Sequence, residues 1–115
     1  MLVAPAVAQG EQVLVCASRS VTVCPESGRC ETKPNWGATF VFDFSTKRVA
    51  SRKGSEQKDI GYITRERRSG LRLEFAYAWS VHGQTYHREI VLEGWRMTIK
   101  HDGGGYATLD CGTER

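Results

Sequence analysis

The chain has 115 residues, 40% of them hydrophobic and 25% charged, with a formal net charge of +3. That length suits one domain, because two separate cores of half the size would bury too little surface to stand alone. No run reaches the ~18 apolar residues that a membrane helix needs, and no RNP- or OB-type aromatic signature marks a nucleic-acid binder.

Residues 1–10, MLVAPAVAQG, are small and apolar, and Ala6-Val7-Ala8 followed by Gln9 looks like an A-x-A signal-peptidase site. A basic leader and a longer apolar stretch are missing. The segment reads as the remnant of an export signal; a disordered N-terminus or a ragged first strand are the other readings. The domain is then 11–115.

From residue 11 the apolar pattern has period two. Val13, Val15 and Ala17 alternate with Leu14, Cys16 and Ser18, and Val21 and Val23 continue the odd positions. One long bent strand or two short ones cover 11–24. If the odd face is the core, Cys16 points outward, unless a bulge at 18–20 resets the register. Pro-Glu-Ser-Gly-Arg at 25–29 is turn-forming. Trp36 stands just before the next strand, where it would plug a barrel end or sit at a ligand mouth. Phe40, Phe42 and Phe44 then share one face. Leu71, Leu73, Phe75, Tyr77, Trp79 and Val81 share another across eleven residues. Trp95, Met97 and Ile99 alternate with Arg96, Thr98 and Lys100. Ser45-Thr46-Lys47, Ser69-Gly70, His82-Gly83, Glu93-Gly94 and the glycines at 103–105 supply the turns.

The spacing predicts about eight strands near 12–18, 38–44, 47–52, 59–66, 71–81, 85–92, 95–101 and 106–111, and no helix. Consecutive hairpins form a meander, and eight meandering strands can close on themselves. The fold class is all-β, a single small antiparallel up-and-down barrel; a two-sheet sandwich is the alternative.

Four cysteines at C-x7-C, C-x5-C and C-x80-C spacing lack the close pairs of a zinc site or a C-x-x-C redox motif. An even count suits two disulfides in an oxidising compartment, periplasmic or secreted. Cys24 and Cys30 flank the 25–29 turn, while Cys16 and Cys111 lie in the first and last strands. The preferred pairing is Cys24 with Cys30 and Cys16 with Cys111, the second tying the barrel at its seam. In plan this resembles small exported bacterial barrels such as the periplasmic C-type lysozyme inhibitors, which also join an early to a late strand. Their Ser-Gly-Ala-containing loop motif is absent here. The resemblance is one of architecture, and no residue role follows from it.

Residues 47–72 carry nine Lys or Arg against three acids. Arg65, Arg67, Arg68 and Arg72 would cluster at a hairpin tip. They form either an anion or partner site or a charged edge that discourages strand pairing. Tyr86 and Tyr106 could line an interior or a barrel mouth. His82, His87 and His101 lack metal-site spacing, and no nucleophile elbow or P-loop is present. No cofactor or metal is expected, and nothing sets an oligomeric state. The expectation is a non-catalytic binding module for a protein or an envelope polyanion. A lipocalin-like carrier of a small apolar ligand and a periplasmic enzyme inhibitor are the alternatives. A carrier requires a hollow barrel, which an interior filled by Phe40, Phe42, Phe75, Trp79 and Trp95 would exclude.

Overall fold

The structure, a computed structural model, describes residues 13–25, 28–34, 38–101 and 104–113; the segment 1–10 lies outside the described residues. Nine strands follow one another: β1 (Val13–Val23), β2 (Glu31–Pro34), β3 (Thr39–Asp43), β4 (Arg48–Lys53), β5 (Glu56–Ser69), β6 (Arg72–Val81), β7 (Gln84–Glu93), β8 (Arg96–Lys100) and β9 (Tyr106–Thr113). Pairing is antiparallel from β1 to β3 and on in order to β9, which returns to β1. Eight strands therefore close a barrel, and closure excludes the two-sheet alternative. β2 is a ninth strand, laid against Ser20 to Val23 of β1 beyond the point where β3 ends.

Turn chemistry sets the register. His82 and Gly83, both with positive φ (51° and 80°), form the two-residue loop that places Val81 opposite Gln84. The next such loop is Gly94-Trp95, one residue later than expected, with Glu93 opposite Arg96. Asp43 shapes the β3–β4 turn. Its Oδ1 accepts hydrogen bonds from Ser45 N (3.0 Å), Ser45 Oγ (2.7 Å) and Thr46 N (3.2 Å). These bonds hold the Asp43 carboxyl below the usual carboxylate range.

Leu14, Cys16, Phe42, Phe44, Val49, Ile63, Leu73, Phe75, Ile90, Leu92, Met97, Ile99, Ala107 and Leu109 form one buried interior cluster, and Phe40, Tyr77 and Trp95 pack against it. Burying a side chain such as Leu73 or Phe42 contributes about 1.5–3 kcal/mol. Leu71 and Val81 belong to the expected apolar face of β6, but they sit at hairpin ends and are exposed.

β1 corrects one expectation. The even positions Leu14, Cys16 and Ser18 point inward, and Cys16 is fully buried. VLVC is apolar on both faces, so hydrophobicity alone does not choose between them; the pairing of Leu14 with Phe42 and of Cys16 with Cys111 does. The bulge between Ser18 and Ser20 then shifts the register, so that Val21 meets Ala107 and packs on the core. Disulfides join Cys16 to Cys111 and Cys24 to Cys30.

Candidate functional site

The arginine-rich segment occupies the second half of β5. Its pairing with β6 runs from Tyr62 opposite Ala78 to Ser69 opposite Arg72. On its other side β4 stops at Arg48 opposite Tyr62, and the last backbone bond there runs from Ile63 N to the Lys47 carbonyl at 2.8 Å. Residues 64–69 thus have a strand partner on one side only among the described residues. All six are exposed.

The register divides the four arginines. Leu73 and Phe75 point inward, so Glu66 and Arg68, which lie opposite them, belong to the inner row. Arg65 opposite Ala76, Arg67 opposite Glu74, and Arg72 lie on the outer wall. Three of the expected four therefore share a face, and Arg68 does not.

The outer wall of β5, β6 and β7 forms an open groove of about 480 Å³, lined in part by Arg65, Arg67, Glu74, Glu89, Val91 and Lys100. Carboxylates meet the arginines: Arg65 pairs with Glu89 at 3.3 Å, and Arg72 with Glu74 at 3.2 Å and with Glu93 at 3.7 Å. Lys47 pairs with Glu66 across the β4 side of the edge. Each exposed pair contributes at most about 1 kcal/mol, but together they offset the local charge. The basic surplus of 47–72 belongs to a window of sequence; Glu74, Glu89 and Glu93 lie outside that window and beside it in space.

No known protein family, curated protein or solved structure matches this chain.

The second candidate region is the barrel end that carries the β6–β7 turn. Tyr86 lies opposite Trp79, and Arg88 opposite Tyr77, on the strand faces that continue the inner row. The rings stack: Tyr77 to Trp79 at 5.4 Å and Trp79 to Tyr86 at 5.7 Å between centroids. The Arg88 guanidinium stands 5.4 Å from the Trp79 ring, a cation–π contact that stabilises the row. Burial pushes the Tyr77 phenol above its ordinary value, opposed by the Arg88 charge. Tyr86 donates to Gln84 Oε1 at 2.7 Å. Tyr106 does not join this row. It alternates with Ala107 and Leu109, which point inward, so it faces the outer wall. Trp36 lies outside the described residues. Trp79 belongs to the stacked row at the mouth and not to the buried cluster.

The Cys24–Cys30 loop leads into β2, where Thr22 and Thr32 share a hydrogen bond of 2.7 Å across the β1–β2 pair. Among the described residues no group of three or more His, Cys, Asp or Glu side chains could hold a metal ion. Sequence reasoning missed Lys47, Glu74, Glu89 and Glu93 as neighbours of the arginines. Counting outward from the His82-Gly83 turn would have placed Glu89 opposite Ala76 and Glu93 opposite Arg72.

Proposed function

We propose that this chain is a non-catalytic binding module of an oxidising compartment, periplasmic or secreted, and that its partner is a protein met at the β5–β6 end. The observation that carries this reading is the exposed, one-sided stretch 64–69 with its three arginines. Arg65 and Arg72 already face carboxylates, so a protein surface of mixed charge fits this end better than a polyanion does. The packed interior weighs against an apolar-ligand carrier. Two disulfides and the A-x-A pattern at residues 6–8 support export.

The test immobilises the oxidised protein and exposes it to an envelope fraction. An Arg65→Glu, Arg67→Glu double variant serves as control, and heparin as competitor. The expected result is a defined set of proteins retained by the parent, lost by the variant and not displaced by heparin. Retention on heparin or anionic vesicles that disappears in the variant, with no protein captured, would make the partner a polyanion. Equal retention by both forms would remove this site.

A further inference from the structure

We propose that the open edge of β5 at residues 64–69 takes up an extended acidic segment of a partner protein as an added strand. This deepens the binding reading above and rests on it. Three observations lead there.

The first is the edge itself. β4 ends opposite Tyr62, while β5 continues to Ser69 with β6 on its far side. Six residues of strand span ~20 Å, enough to hold a short extended peptide through main-chain hydrogen bonds. Lys47 reaches Glu66 near the start of this edge, so an incoming strand enters from the β5–β6 turn beside Ser69 and runs towards Glu66.

The second is charge. Arg65, Arg67, Arg68 and Lys47 stand along the edge with Glu66 as the acid among them, whereas Glu74, Glu89 and Glu93 lie on β6 and β7. Arg65 turns across β6 to Glu89. Arg67 has no ion pair among the described residues. A strand on the β4 side therefore meets a basic border. A second copy of this chain would bring the same cations and be repelled; a segment with acids would not.

The third is spacing. Arg65 and Arg67 are two residues apart on one face. An incoming strand repeats its side-chain direction every two residues, so of two acids at alternate positions one would stand beside Arg67 and the other would compete with Glu89 for Arg65. The recognised chemistry is an extended acid-x-acid segment.

The probe is a labelled octapeptide of alternating Glu and Thr, titrated against the full oxidised chain by fluorescence anisotropy. Two N-methylated versions accompany it, one blocked on every Glu amide and one on every Thr amide. Alternate amides of a strand point to opposite sides, so only one version loses the bonds to β5. The expected result is saturable binding of the parent peptide, at least tenfold weaker binding for one methylated version, and little change for the other. Arg67→Glu should weaken the parent peptide at least tenfold while leaving the circular dichroism and thermal midpoint of the protein unchanged. Equal binding of both methylated versions, loss of both, or no binding of the parent peptide overturns strand addition. A protein dimer in sedimentation that the peptide does not dissociate puts a second copy on the edge, which also overturns it. If strand addition fails while Arg65- and Arg67-dependent capture of envelope proteins persists, the binding reading stands without it.

Discussion

Asp43 and Gly61 show how single residues set the local geometry. Asp43 gathers two backbone amides and one hydroxyl onto a single carboxylate oxygen, so the turn after β3 depends on an acceptor at that position. Asp43→Ala should cost about 1 kcal/mol in urea unfolding, while Asp43→Asn, whose amide oxygen still accepts, should cost less. The bonds favour the ionised carboxyl in the folded state, so their contribution is full above the usual carboxylate range. It is lost as pH falls through the lowered folded value; the parent should therefore lose stability on acidification more steeply than Asp43→Asn. Gly61 answers to sterics. A Cβ there would lie 2.3 Å from the Ala78 carbonyl oxygen, closer than any real contact allows. Gly61→Ala should then destabilise by about 1–3 kcal/mol, read from the urea midpoint. Ser45, Thr46 and Lys47 read as a turn from sequence alone, because turn chemistry is local; the bonding role of Asp43, placed at the end of the preceding strand, came from the structure. The need for glycine at 61 could not be read, because it comes from a strand seventeen positions away.

At the level of elements, periodicity located β1, β3, β6 and β8, where one dry face imposes period two, and the turns between them marked out β4, β5, β7 and β9. β2 escaped both. Glu-Thr-Lys-Pro is polar and fully exposed, and its pairing with β1 comes from the chain being brought back by the Cys24–Cys30 bridge. Replacing both of these cysteines with alanine should cost about 2 kcal/mol by loop-closure entropy. Hydrogen exchange should quicken in β2 and at Thr22 while β6 and β7 stay protected. The arginine segment shows the same limit at this scale. A charge count along residues 47–72 describes the strand and not its neighbours, and the acids that offset it arrive on β6 and β7. The open edge beyond Tyr62 depends on where β4 stops, which no count of charges reveals.

For the whole molecule, the Cys16–Cys111 bridge joins first strand to last across a sequence separation of 95. It lies where β9 returns to β1, so it links the ends of the closed sheet. Cys16→Ala with Cys111→Ala should lower stability by about 4–5 kcal/mol through the freed unfolded chain, measured as a lower urea midpoint, with the barrel's far-UV spectrum retained if the core alone suffices. The all-β class, the meander of hairpins and the inward positions of Phe42 and Phe75 follow from local spacing and turn chemistry, while cysteine placement favoured the pairing that the structure shows without excluding the other two. Tertiary structure alone decided the inward face of β1, the outward face of Tyr106, the partition of the arginines between two walls and the one-sided edge of β5. These depend on register between strands distant in sequence, on bulges that shift it, and on the point at which a neighbouring strand ends.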